Sequence, residues 1–442
     1  MNVEVENLPN CLTSLHIELP PDRVTKEWNE VVKEFRQVAN VPGFRPGKAP
    51  VNMVEAKFRK EIQEKLTKKL VSETTREVIR EKGLKVLSIS EVDDVEITPE
   101  KSMRFAATLI TAPEFELPDY KAISVKVPPN EVADEEVEDE IEDLRKCHAA
   151  FSDIEGRSFE MGDFAVIDYE TTLDGKPALE VESKIPHILG GGKDFWIKAD
   201  ENTFLEGFSN QLVGLPIGDT REFDLVVAEN YPVTELVSKT LHFKVTLKGI
   251  KSMQLPELDD KFASQIVEDF TVEELRKAVK ERLEIEKTQW IETLKHNQII
   301  DYLVSRVECK LPQSYVKDET RRVMSEIVQQ NQRRGISEDV LRKNEEDIIN
   351  MASRSAKDRL KADFILLRIG AKEGIEVKSD DINERIQLLA SQYRITFEKM
   401  FSELKESRAL PQLYERVLIG KVLDFLTSNA NVKTSLEEAA TS

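Results

Sequence analysis

A chain of 442 residues, 40% hydrophobic and 33% charged with a formal net charge of −20, has length for about three domains, each able to bury a core. Its 7% aromatic content beside so much charge favours long, exposed helices over compact sheet throughout. The cysteines at 11, 147 and 309 are odd in number and widely spaced, which suggests neither a disulfide framework nor a Cys-x-x-Cys metal or redox motif; they read as buried or neutral thiols in a reducing cytosol.

Residues 1–6 carry alternating acids without an apolar run, so no signal peptide is expected there, and no stretch reaches the ~18 apolar residues of a membrane helix. Behind Pro21 and Asp22, the residues Val24, Trp28, Val31, Val32 and Phe35 recur at helical spacing. Val54, Phe58, Ile62 and Leu66 do the same after Pro50. Between these two amphipathic helices lies Gly43-Phe44-Arg45-Pro46-Gly47-Lys48-Ala49-Pro50. Prolines at 42, 46 and 50 limit the backbone while Gly43 and Gly47 permit turns, so Phe44, Arg45 and Lys48 stand on a stiff tip. Such a tip suits docking, although an ordinary interhelical connection has the same chemistry. From Lys33 to Lys69 there are ten Lys or Arg against four Glu. A basic pole on an acidic chain fits a polyanionic partner with salt-sensitive binding; solvated helix faces are the bland alternative.

At these residues the chain resembles the bacterial trigger factors. The resemblance extends over essentially the whole chain and implies an α+β multidomain fold. Residues 1–112 would be an N-terminal α/β ribosome-binding domain, with strands at 15–19 and 105–110 packed on the helices. The loop would dock on the large ribosomal subunit, on ribosomal protein and rRNA beside the exit tunnel, through Gly43, Phe44, Arg45, Gly47 and Lys48.

Pro113, Pro118, Pro128 and Pro129 punctuate a boundary region holding a short strand pattern at 123–127. The acidic helix that follows shows Val137, Ile141, Leu144 and His148 on one face, so it packs on a neighbour; His148 lacks companions at ligand spacing. Residues 113–157 are thus expected to be a linker strand and a helix on the C-terminal body.

From Gly162 the period changes to alternation. Val166 to Tyr169 leads into an Asp174-Gly175 hairpin signal, and residues 241–247 close the region as a strand. With Phe204 to Phe208 as a short apolar helix and Tyr231 before Pro232, this order resembles an FKBP-type peptidyl-prolyl isomerase, expected over residues 158–252 as an antiparallel sheet domain. Isomerising an X-Pro bond breaks no covalent bond. The barrier of about 18–20 kcal/mol is lost amide resonance, which an apolar concave pocket lowers by desolvating and twisting the amide. The resemblance maps that pocket onto Tyr169, Phe204, Leu205, Phe208, Tyr231 and Phe243; judged singly, these residues equally suit a barrel core. Ala178-Leu179-Glu180 departs from the family's Phe-Asp wall, so activity is expected to survive in weakened or altered form. Residues 190–197 lack the phosphate-loop spacing and read as a flexible rim, with Phe195 and Trp196 either capping the core or offered to clients.

Beyond residue 253 the chain reads as helical. Thr271-Val272-Glu273-Glu274 is a capping box, and Trp290, Leu294, Ile299, Tyr302 and Leu303 form a broad stripe. Pro312, Gly335, Gly370, Gly374 and Pro411 mark expected breaks, and residues 435–442 are expected to fray. Residues 253–442 are therefore expected to be an elongated all-α chaperone domain. Met324, Ile327, Ile348, Ile349, Met351 and Phe364 suit client contacts or interhelical core. The resemblance implies an ATP-independent chaperone that holds nascent chains open at the exit tunnel and assists folding and export. It would need no cofactor or metal, would be cytoplasmic and partly ribosome-bound, without membrane attachment, and would be able to form homodimers when free. A soluble isomerase with substrate-recruiting helices, or a ribosome or assembly scaffold without chaperone work, are the alternatives.

Overall fold

Strands β1 (Asn2–Leu8) and β2 (Leu12–Leu19) form a hairpin whose short turn holds Asn10 and Cys11 at φ 64° and 59°. β1 escapes sequence reading because its acids leave it a largely exposed edge strand. β2 instead buries Leu15, Ile17 and Leu19. After α1 (Pro21–Val38), the single helix expected beyond Pro50 is interrupted at Phe58 (φ −113°, ψ 24°), giving α2 (Val51–Lys57) and α3 (Arg59–Lys82). β3 (Val86–Ile97) and β4 (Met103–Thr111) complete an antiparallel sheet of order β1-β2-β4-β3. Its inner face, with Phe105, Ala107 and Leu109 on β4, packs against Val31 and Val32 of α1 and Ile62, Leu66 and Leu70 of α3. β5 (Ser124–Val127) follows.

These elements come from a computed structural model that describes residues 1–38, 44, 48–97, 102–181, 187–200, 205–228, 236–334, 336, 341–342 and 344–435. The chain divides into two units, one of residues 1–127 and 293–435, the other centred on residues 128–292.

In the second unit, α4 (Asp134–Cys147) buries Val137 and Ile141 against Phe262, Leu275 and Val279. Its acidic face meets a row of cations on the facing helix: Asp134–Lys280, Glu138–Arg276 and Glu140–Arg282 at 3.0, 2.9 and 2.5 Å. These pairs are exposed, so they guide register more than they stabilise. His148 caps α4 and packs edge-on to Phe262 at 6.0 Å. Cys147 is exposed and Cys11 and Cys309 are half-buried, so of the two alternatives, buried or neutral, full burial does not hold for any of the three.

The sheet of this unit comprises β6 (Ala150–Ile154), β7 (Phe164–Leu173), β8 (Lys176–Pro177), β9 (Gly191–Lys198), β10 (Thr220–Val226) and β11 (Thr240–Gln254), with order β10-β11-β7-β8, β6 on β11 and β9 on β7. Asp174 and Gly175 take φ 52° and 78°, as the two-residue hairpin between β7 and β8 demands. α5 (Ala178–Val181) and α6 (Phe208–Leu212) are short turns of helix. Residues 190–197, expected to be a flexible rim, are instead mostly a paired strand. Ile197 enters the core while Trp196 faces outward, so alternation, masked in sequence by three glycines, governs the segment.

α7 (Asp260–Ile266) precedes α8 (Val272–Arg306), which starts at the expected capping box: Thr271 N–H donates to Glu274 at 2.9 Å and Glu274 N–H to Thr271 Oγ1 at 3.3 Å. Pro312 precedes α9 (Gln313–Arg333), and Gly374 (φ 68°) ends α10 (Glu345–Glu373). Gly370 is no break. It lies within α10, where an added Cβ would come 2.9 Å from Val422, so its smallness serves helix packing. α11 (Ser379–Gln392), α12 (Phe397–Glu406) and α13 (Leu410–Ser428) follow, with Pro411 in the first turn of α13, and β12 (Asn431–Thr434) pairs parallel with β5. Ile299, Leu303, Ile365, Ile369 and Val422 form the helical core with Tyr120 and Val125. Met324 and Ile327 pack against the cluster of Val323, Ala352 and Ala356, whereas Ile349 and Met351 are exposed. The expectations at Gly335 and for the last seven residues fall outside the described residues.

Candidate functional site

The aromatics singled out in the middle of the chain meet on the inner face of the β7–β11–β10 sheet. Tyr169 lies opposite Val245, and Thr171 opposite Phe243, so Tyr169 and Phe243 share that face two positions apart. Phe243 is opposite Phe223, stacked at 5.8 Å, and Phe208 at the start of α6 meets both rings edge-on at 5.2 and 5.4 Å. Gly207, at φ 84°, turns the chain into that helix just after the buried Leu205. Tyr169 meets Phe195 of β9 at 5.5 Å and donates its hydroxyl to the Ile188 carbonyl; burial pushes its phenol pKa up. Tyr169, Phe208 and Phe243 are at most 3% exposed, so they are anchored in the core. Phe204 and Tyr231 lie outside the described residues.

Phe223 was not singled out in the sequence, although Phe223 and Leu225 alternate as a core-facing strand should. The three glycines have distinct reasons. A Cβ on Gly190 would lie 2.3 Å from Leu179 Cγ, and one on Gly192 would lie 2.8 Å from Tyr169 Cε1, while Gly191 takes φ 139°. The Ala178-Leu179 departure is therefore part of this packing: Ala178 is buried and Leu179 lies over Gly190. Just before β7, Asp163 accepts from Arg157 at 2.6 and 2.8 Å, which holds its carboxyl below the usual range.

The second candidate site is the tip between α1 and α2. Phe44 is 39% exposed and Lys48 is exposed, while Ala49 is buried and Pro50 caps α2. The base of the loop is fastened by Phe35 against Phe58 at 6.2 Å and by Trp28 Nε1–H donating to Glu55 at 2.7 Å. Within the basic segment, Lys65 pairs with Glu34 at 2.7 Å and Lys69 with Glu27 at 2.7 Å, and the Glu27 contact raises the Lys69 pKa. Lys33, Lys48, Arg59, Lys60 and Lys68 are exposed. Gly43, Arg45 and Gly47 lie outside the described residues. Among the described residues, no cluster of His, Cys, Asp or Glu could hold a metal ion.

Comparison with known proteins joins the two sites. The family model of the bacterial trigger factor protein matches residues 1–144, that of its C-terminus residues 271–428, and that of FKBP-type peptidyl-prolyl cis-trans isomerases residues 155–248. The trigger factor of Akkermansia muciniphila is 32% identical over 98% of this chain and 99% of its own length; that of Halothermothrix orenii is 29% identical over 97% and 99%. A solved trigger factor chaperone chain, reported for promiscuous substrate recognition in folding and assembly, aligns over 97% of this chain and 99% of its own at 21% identity and a TM-score of 0.45. The chain belongs to the bacterial trigger factor family of chaperones and carries an FKBP-type peptidyl-prolyl cis-trans isomerase in its middle.

Proposed function

We propose that the chain works in the cytoplasm on the large ribosomal subunit beside the exit tunnel, docked through the loop at 43–48, and holds emerging polypeptides with its helical part. The observation that carries this reading is the exposed pair Phe44 and Lys48, set on a fastened base in the same basic segment as exposed Arg59, Lys60 and Lys68, in a chain of net charge −20. An aromatic on such a tip fits a protein groove, and the surrounding cations fit phosphates. Among the described residues no helix is long and apolar enough to cross a membrane. The domain reading that goes with this function places ribosome binding in residues 1–112, a linker in 113–157, isomerisation in 158–252 and client holding in 253–442.

Co-sedimentation with ribosomes over a salt series tests the docking. The Phe44→Ala, Arg45→Ala, Lys48→Ala triple variant should lose at least about tenfold in affinity at moderate salt, with a shallower salt dependence because two cations are removed. Unchanged sedimentation would reject the loop as the anchor.

The isomerase pocket is proposed to be formed by Tyr169, Leu205, Phe208 and Phe243 together with Phe204 and Tyr231. Gly192→Ala probes it without replacing any of those side chains, since the new methyl would press on the Tyr169 ring. Because displacement of about 1 Å at a reacting centre costs up to about a hundredfold, the rate on a proline-containing peptide should fall by about ten- to a hundredfold. Retention of the full rate would remove Tyr169 from the pocket.

A further inference from the structure

The β1–β2 turn brings Cys11 close to a cysteine in the second segment of the same unit, far away along the chain. Its Sγ lies 3.0 Å from the carbonyl oxygen of Lys310, the residue after Cys309. The two thiols are near enough that Cys309 adds to burial in raising the Cys11 pKa, and both line a cavity of about 1350 Å³ through which a small reagent can enter. Neither backbone is locked in a regular element. Cys11 sits in a turn, its carbonyl accepting from Thr111 N–H at 2.8 Å, and residues 307–312 form the irregular connection between α8 and α9, so the adjustment that a disulfide's narrow geometry requires falls mainly on that connection. The third cysteine, Cys147, is exposed and belongs to the other unit.

We propose that Cys11 and Cys309 form a redox modification site: a thiol pair that a small disulfide oxidant of the glutathione class converts into an intramolecular disulfide, tying the β1–β2 turn to the α8–α9 connection. The Cys11 thiolate attacks one sulfur of oxidised glutathione, whose S–S bond breaks, and the glutathione thiolate that leaves takes up a proton. The Cys309 thiolate then attacks the Cys11 sulfur of the mixed disulfide and expels the second glutathione. Two protein thiols are oxidised by two electrons, and one glutathione disulfide is reduced to two thiols. Burial raises both protein thiols above the ordinary range, so the reaction is slow at neutral pH and quickens as pH rises. The product fastens the N-terminal sheet covalently to the helical part of the same unit, which suits a clasp that forms under oxidative stress rather than a permanent structural bond.

The experiment uses the full-length native chain in mixtures of oxidised and reduced glutathione, quenched in acid and then denatured and alkylated for thiol counting and peptide mapping. The expected result is a fall from three free thiols to one per chain. A single cross-linked species should join the Cys11 peptide to the Cys309 peptide, migrate faster on non-reducing gels and revert with dithiothreitol. Cys11→Ser and Cys309→Ser should each abolish the cross-link while leaving the remaining thiol able to form a mixed disulfide. The proposal is overturned if only glutathione adducts form, if the cross-link involves Cys147, or if Cys11 and Cys309 join only after the chain has been unfolded in urea.

Discussion

Phe243→Ala is expected to cost about 3–5 kcal/mol, the range for deleting a buried phenyl ring, and to unfold the isomerase unit at temperatures where the rest of the chain stays folded. The ring is fully buried, stacked on Phe223 and met edge-on by Phe208, and it comes from the central β11 strand, which pairs with β7, β10 and β6. Removing it leaves a void bounded by two other rings that are themselves fixed in the neighbouring strand β10 and in α6, so collapse can recover little of the loss. In scanning calorimetry the transition of this unit should fall by on the order of 10–20 °C, with the transition of the unit containing residues 1–127 and 293–435 unmoved. Trp196→Ala supplies the contrast. That ring is 45% exposed on the outer face, in contact with Phe151 and Lys251, and its loss should shift the same transition far less. Equal shifts for the two variants would show that the inner aromatic cluster does not hold the unit together.

What the sequence made legible followed from chemistry confined to a few neighbouring residues. The Thr271-Glu274 capping box forms as two reciprocal hydrogen bonds, and Asp174-Gly175 takes the two positive φ angles of a tight hairpin. Phe44 and Lys48 stand exposed where the Pro and Gly spacing put them. What stayed hidden depends on partners far along the chain. Gly370 reads as a helix end because nothing nearby in sequence shows that Val422 will pack on it. The Gly190–Gly192 run reads as flexible because the Tyr169 ring and the Leu179 side chain that demand its smallness come from other elements. Phe223 acquires meaning only when β10 pairs with β11 and sets it against Phe243. The nearness of Cys11 and Cys309 likewise arises from packing within one unit and from no spacing rule.

Asp363→Asn is expected to stabilise the unit that contains α10, and to do so only above a defined pH. Asp363 projects from α10 into a cavity of about 940 Å³ beside Arg322 of α9 and Glu415 and Arg416 of α13. Burial, followed by the nearby Glu319 carboxylate and by Glu415, outweighs Arg322 and Arg416 and pushes the Asp363 pKa up to about 6. Arg322 is drawn instead to Glu319, at 2.7 Å, and Arg359 to Glu326, also at 2.7 Å. No hydrogen bond or ion pair to the Asp363 carboxylate is found among the described residues. The folded chain thus retains a proton up to about pH 6 that the unfolded chain releases near pH 4. Across that window the folded state binds more protons, so stability declines as pH rises through it, and the full cost of about 2–3 kcal/mol persists above it. Asparagine keeps the shape and cannot acquire the charge. Urea unfolding should therefore show the variant equal to the native chain at pH 4, diverging through pH 5 and 6, and more stable by up to about 2–3 kcal/mol at pH 7.5. A variant that is less stable at pH 7.5 would mean that Arg322 or Arg416 turns to the carboxylate in solution, making Asp363 a buried ion-pair partner in the helical core instead of an unpaired charge that neutral pH forces upon it.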